Sequence, residues 1–159
     1  MKIAVISDIH DAKKKLVSVL KSIKEQECNM IFALGDYTTL ETFKLIALTG
    51  IQIYAVFGNM DEENDKIESW IRKSTKDINL RREMNRVQIE EENYALTHYP
   101  EIAEKLLKSG MYALVLYGHT HIAKQEQDEE TLMANPGAVK DGTFAIYDTK
   151  TKIFEVKSI

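Results

Sequence analysis

The sequence predicts an α/β fold in which two packed, mixed β-sheets are flanked by helices, a four-layer αββα sandwich. Three observations carry this reading. The first half contains three successive strand, loop and helix units, which call for a largely parallel sheet. The second half breaks into short strand-like runs divided by turns, the pattern of hairpins. Residues able to do chemistry stand at the carboxyl ends of the apolar runs, where the strands of a mainly parallel sheet open onto one crevice.

Met1 to Ile6 is apolar apart from Lys2 and suits a strand buried on both faces, running into Ser7-Asp8-Ile9-His10-Asp11. Leu16, Val19, Leu20 and Ile23 then fall on one helical face, with Asp11 as a candidate N-cap. Lys13, Lys14 and Lys15 occupy the first helical turn, where the macrodipole disfavours cations; they read as a solvated face or as an attractor of phosphate. Met30 to Leu34 is the second strand, ended by Gly35-Asp36. Thr38 and Glu41 fit a capping box, Leu40, Phe43 and Ala47 form an apolar stripe, and Gly50 suits the residue just past the helix. Ile51 to Phe57 is the third strand, followed by Gly58-Asn59-Met60-Asp61 and a helix carrying Ile67, Trp70 and Ile71 on one face.

The rhythm changes after Thr75. Val87 and Ile89 alternate with polar residues, Glu91-Glu92-Asn93 reads as a turn, and Tyr94 to Thr97 resumes a strand that ends in His98. Pro100 suits the first turn of a helix reaching Leu107, with Gly110 beyond its end. Leu114 to Tyr117 is a buried strand leading into Gly118-His119-Thr120-His121. Short runs near Lys124 to Gln127, Thr131 to Met133, Phe144 to Tyr147 and Ile153 to Val156, with an Asn135-Pro136-Gly137 turn, suggest antiparallel hairpins.

Composition narrows the function. A chain of 159 residues can bury about 70% of its unfolded surface, so one domain over residues 1–159 is expected. The apolar runs fall far short of the roughly 20 residues that span a bilayer, and the N-terminus lacks a signal-peptide pattern, making the cytoplasm the default location. The lone Cys28 excludes an internal disulfide and a cysteine-rich zinc site, and reads as a small core residue. A net charge of -4 with 8% aromatics and no basic stripe gives no nucleic-acid signature. Nothing argues against a homo-oligomer.

Strand ends supply Asp8, His10, Asp36, Asn59, His98, His119 and His121, a set containing all four histidines of the chain. Each alone has a bland reading: Asp8 or Asp36 as a turn or cap residue, Asn59 as a turn residue, His98 as a buried histidine bonded to backbone. Together they would be a costly group of polar burdens around one crevice without a cation. Seven oxygen and imidazole donors exceed the four of a structural zinc site and fit two metals sharing a carboxylate.

Asp-x-His near the N-terminus, Gly-Asp, Gly-Asn-x-Asp, a solitary His and Gly-His-x-His, in this order after successive strands, resemble the calcineurin-like metallophosphoesterase superfamily, and most of all its small prokaryotic phosphodiesterases. The resemblance implies that Asp8, His10 and His121 bind one metal, that Asn59, His98 and His119 bind the other, and that Asp36 bridges them. It implies a metallophosphoesterase fold and a dinuclear phosphodiesterase in which a metal-bridging hydroxide attacks a small phosphate ester in line. Asp36, Asn59, His98 and Asp61 are the expected catalytic set. Asp61 is expected behind the ligands, orienting an imidazole such as that of His119 or His98. Mn²⁺ is the first expectation for the two divalent ions, with Ni²⁺, Fe and Zn²⁺ compatible.

Two positions depart from the family pattern. Met60 stands where many larger relatives have a His, so no side chain there can protonate a leaving group. Tyr99-Pro100 stands where relatives often have Gly-His. Tyr37 and Phe57 are near enough in sequence to line the site, Phe57 more naturally as core. The alternatives are a phosphomonoesterase on the same metals, a non-catalytic scaffold like the retromer subunit of this fold, and a receiver-like or flavodoxin-like module, which leaves the histidines unexplained.

Overall fold

The computed structural model describes residues 1–159. Its elements in chain order are β1 (Lys2–Ile6), α1 (Lys13–Glu25), β2 (Met30–Ala33), α2 (Leu40–Ala47), β3 (Gln52–Val56), α3 (Asn64–Lys73), β4 (Ile78–Arg81), β5 (Met84–Ile89), β6 (Glu92–Thr97), α4 (Pro100–Lys108), β7 (Leu114–Leu116), β8 (Lys124–Asp128), β9 (Thr131–Asn135), β10 (Thr143–Asp148) and β11 (Ile153–Ser158). One sheet has the order β11-β10-β1-β2-β3-β4 and the other β5-β6-β7-β9-β8. The pairs β1/β2, β2/β3 and β3/β4 are parallel, as are β6/β7 and β7/β9.

The period of two along the strands builds the layers. In β1, Ala4 and Ile6 face a core shared with Leu16, Val19 and Ile23 of α1, while Ile3 and Val5 face a second core between the sheets. In β7, Leu114 and Leu116 face that inter-sheet core, and Val115 turns outward onto Ala103 and Leu107 of α4. Helices α1 to α3 thus cover one sheet and α4 the other, which is the αββα order. No helix is long and apolar enough to cross a membrane.

Several local expectations shift. β4 lacks a clear sequence signature because it is only four residues long at a sheet edge; Ile78 and Leu80 do alternate with Asn79 and Arg81 and pack on the helix-side core, but so short a run does not stand out in the sequence. The N-cap of α2 is Thr39, whose hydroxyl accepts the Thr42 amide, so the Thr38 and Glu41 capping box is displaced by one residue. Asp11 does not cap α1; it accepts hydrogen bonds from the Thr39 and Thr42 hydroxyls and ties the start of α2 to the loop after β1. The C-cap of α2 is Leu48, leaving Gly50 one position further out than expected. β9 is more than a hairpin arm, because it also pairs in parallel with β7.

Candidate metal centre

The carboxyl ends of β1, β2 and β3 in one sheet and of β6 and β7 in the other open onto the same edge of the sandwich. Asp8, His10, Asp36, His119 and His121 all have φ between 46° and 68°. Such left-handed backbone is uncommon outside glycine, and it clusters where surrounding structure holds side chains in place for function. Sharp turns directly after the strands aim these groups back across the sheet ends.

Asp8 is fully buried. Its Oδ2 accepts the backbone N–H of His119 at 3.0 Å, which clamps the His119 turn to β1. Its Oδ1 is buried without a hydrogen bond, 3.2 Å from His121 Nε2 and 3.8 Å from His10 Nε2. The two Nε2 atoms of His10 and His121 lie 3.1 Å apart. Burial lowers the pKa of His10 against the raising pull of Asp36 and Asp8, so a proton competes weakly for its ring nitrogen.

Asp36 is also buried. Its Oδ1 accepts the Met60 amide at 2.8 Å, while its Oδ2 lies 3.5 Å from His10 Nε2 and 3.5 Å from His98 Nε2. His98 Nδ1 is 2.7 Å from the Leu34 carbonyl, which can only accept, so this nitrogen carries the hydrogen. In the neutral ring the Nε2 lone pair then faces Asn59 Oδ1 at 3.1 Å, His119 Nδ1 at 3.3 Å and Asp36 Oδ2. His119 Nδ1 is itself 3.0 Å from Asn59 Oδ1. A lone pair facing the oxygens of Asn59 and Asp36 is repulsive unless a cation lies among them.

All seven strand-end residues therefore come together. Asp8, His10 and His121 offer ligand atoms within 4.8 Å of one another, as do Asp8, Asp36 and His98. Asn59 and His119 complete the second group, and Asp36 Oδ2 stands between the two. The donor set, with an orphaned carboxylate oxygen and converging imidazole nitrogens, fits divalent cations with mixed nitrogen and oxygen ligands.

Asp61 does something other than expected. Its Oδ2 accepts the amides of Gly58 at 2.6 Å and Asp36 at 3.0 Å, and its Oδ1 accepts that of Thr38 at 2.9 Å. It orients no imidazole, because all its short contacts are consumed by the backbone of the loops after β2 and β3. Tyr37 is not at the site either. It is fully buried, with its hydroxyl held between the carbonyls of Ala33 and Val56. Of the three lysines opening α1, Lys13 pairs with Asp11 at 3.3 Å and Lys15 donates to the Lys140 carbonyl at 2.7 Å. Sequence reading passed over Asn135 as a turn residue. It is buried and donates to Gly118 O at 2.9 Å and Thr120 Oγ1 at 3.1 Å, bracing the histidine turn. The available signal was its place at the end of a strand beside β7.

Two glycines let these loops touch. A Cβ on Gly118 would lie 2.0 Å from Ser7 Oγ and 2.9 Å from Asp8 Oδ2. A Cβ on Gly58 would lie 2.1 Å from Asp36 Oδ1 and 2.7 Å from the Asp36 amide, which backbone cannot yield. Gly58→Ala is expected to cost about 2 kcal/mol by overpacking, lowering Tm by about 4–8 °C in a thermal melt. An unchanged Tm would show that the two loops separate freely.

The sequence and the fold recur in known proteins. A family model for the calcineurin-like phosphoesterase superfamily domain matches residues 1–152. A phosphodiesterase of Methanocaldococcus jannaschii is 30% identical over 139 residues, spanning 86% of this chain and 83% of that protein. A solved archaeal phosphodiesterase superposes with a TM-score of 0.92 at 26% identity over the whole of both chains. The Escherichia coli phosphoesterase Yfce shares the fold, with a TM-score of 0.68 at 22% identity over the whole of both chains. With its motifs gathered at one sheet edge and its length matched almost throughout, the chain belongs to the calcineurin-like phosphoesterase superfamily.

Proposed function

We propose that the protein is a phosphodiesterase working with two divalent cations, Mn²⁺ foremost. The observation that carries this is the position of Asp36 Oδ2, equally far from His10 Nε2 and His98 Nε2 on two separate donor groups. In this reading Asp8, His10 and His121 hold one ion, Asn59, His98 and His119 the other, and Asp36 both. When bound, such a pair supplies an ionised water for in-line attack on phosphorus and offsets charge on the phosphoryl oxygens. The relatives named as phosphodiesterases support the substrate class.

The remaining work falls to the chain itself. Leu34 O fixes the His98 tautomer, so that Nε2 stays free as a donor. Asp8 Oδ2 holds the His119 turn through its backbone, leaving Oδ1 directed at His10 and His121. Met60 follows Asn59 without a transferable proton, so a leaving alkoxide must depart unassisted from that side. This favours esters of acidic alcohols, since absent general acid help costs about 10²- to 10⁴-fold.

The test is restoration. Chelator-treated protein should regain hydrolysis of bis(p-nitrophenyl) phosphate on addition of Mn²⁺, faster than that of p-nitrophenyl phosphate. A strong monoester preference would transfer the reading to a phosphomonoesterase. No turnover of either ester would favour a scaffold.

Lys140 supplies a further prediction, because its amide donates to the Asp8 carbonyl at 3.2 Å and sets this cationic residue in the loop packed against the donor groups. Lys140→Gln should raise KM for the dianionic p-nitrophenyl phosphate about fivefold, and for the monoanionic diester less, as expected for a partly solvated charge. Equal KM values in both proteins would remove Lys140 from anion attraction.

A further inference from the structure

Asn135 closes β9 and is completely buried. Its Nδ2 donates to the Gly118 carbonyl at 2.9 Å and to Thr120 Oγ1 at 3.1 Å, while its Oδ1 accepts the Gly137 amide at 2.8 Å. The Gly118 carbonyl can only accept and the Gly137 N–H can only donate, so the side-chain amide has one orientation. The Gly118 carbonyl and the His119 N–H belong to one planar peptide group. That N–H donates to Asp8 Oδ2 at 3.0 Å, so the peptide is pinned from one side by Asn135 and from the other by Asp8.

The segment after Asn135 crosses to the other sheet. The Ala138 N–H donates to Thr143 Oγ1 on β10 at 2.8 Å, that of Val139 to the Ser7 carbonyl at 2.9 Å, and that of Lys140 to the Asp8 carbonyl at 3.2 Å. β1 and β10 lie in one sheet, β7 and β9 in the other. Residues 135–140 therefore form a strap across the sandwich, one end on the turn of His119 and His121 and the other on the loop of Asp8 and His10. His119 and His121 sit in left-handed backbone, at φ 68° and 61°, a conformation that persists only where its surroundings hold it. Asp8 supplies one such hold with a carboxylate that also faces the imidazoles. Asn135 supplies another from outside the donor set.

We propose that Asn135 is a positioning residue that preorganises the metal centre. Together with the strap it holds the His119–His121 turn against Asp8 and His10 before any cation arrives, so that binding does not have to order the turn. The proposal rests on the two-ion reading above. Asn135 touches neither ion nor substrate in that reading; it sets how tightly cations are held.

Titration calorimetry of the metal-free full chain with Mn²⁺ measures this, beside thermal melts of the same proteins and turnover of bis(p-nitrophenyl) phosphate. Asn135→Asp keeps the acceptor for Gly137 but sets an oxygen against the Gly118 carbonyl, and its Kd for Mn²⁺ should rise about 10- to 100-fold. Thr120→Val removes one of the two contacts at an exposed position and should raise Kd about fivefold. It keeps the test available if Asn135→Asp misfolds. Asn85→Asp is the comparison, since Asn85 is also buried and donates to the Ala55 and Asn79 carbonyls but to no part of the donor turns. It should lower Tm and leave Kd where it was. Wild-type affinity in either folded variant, or a comparable rise in Asn85→Asp, would overturn the proposal. A wild-type chain that binds no Mn²⁺ would overturn the metal-centre reading and the proposal together. The expected Kd values without turnover of the diester would overturn the phosphodiesterase reading alone and leave the role of Asn135 standing.

Discussion

Asp36→Asn should lower turnover of bis(p-nitrophenyl) phosphate about 10³-fold, a loss of about 4 kcal/mol of transition-state stabilisation, and, on the two-ion reading proposed above, reduce the bound metal from two ions per chain to less than one. The substitution is chosen because the two carboxylate oxygens have separate tasks. Oδ1 accepts the Met60 amide, and an amide oxygen in the same place can still do so. Oδ2 lies 3.5 Å from a ring nitrogen on either side, and an amide nitrogen there brings hydrogens and no charge. Loop geometry is retained while the ligand that the proposed reading shares between two ions is lost, so in that reading both ions should weaken together. Asn59→Ala is the comparison. Asn59 Oδ1 contacts only His98 and His119, so its removal should empty one position and spare the other. Metal content by plasma mass spectrometry, with anomalous scattering at the metal edge, measures both variants. Full occupancy in Asp36→Asn would refute the shared position of Asp36.

Placing the seven donors required only the strand ends. The apolar runs before Asp8, Asp36, Asn59, His98 and His119 are unbroken, and parallel pairing puts their carboxyl ends together however distant they are in sequence. The supporting contacts were illegible for a physical reason: they are made by backbone. Leu34 contributes to the site through its carbonyl, and Gly58, Asp36 and Thr38 bond Asp61 through amides that every residue type carries. Asp61 therefore looked like a partner for imidazole. β4 was hidden because four alternating residues at a sheet edge are too short a run to stand out from the loops around them. The left-handed φ values at Asp8, His10 and Asp36 were equally silent, since no glycine marks them.

Asp61→Asn decides what that buried carboxylate is for. Asp61 is only 4% exposed, and its two oxygens take three backbone amides. Burial raises its pKa, opposed by the N–H groups of Gly58, Thr38 and Asp36, which favour the charged form. An asparagine can keep the two bonds at one oxygen, but it then turns an NH₂ toward the third amide, leaving donor against donor. The expected cost is about 3 kcal/mol for mispaired buried groups, a fall in Tm of about 6–12 °C. Activity discriminates further. If Asp61 acts solely by holding the loops that carry Asp36 and Asn59, the variant should bind Mn²⁺ more weakly and regain most of its kcat at saturating metal, because no reacting group has been removed. A kcat that stays depressed at saturating metal would show that Asp61 enters the chemistry itself. The geometry favours recovery, since each short contact of Asp61 ends on a backbone nitrogen and none on an imidazole.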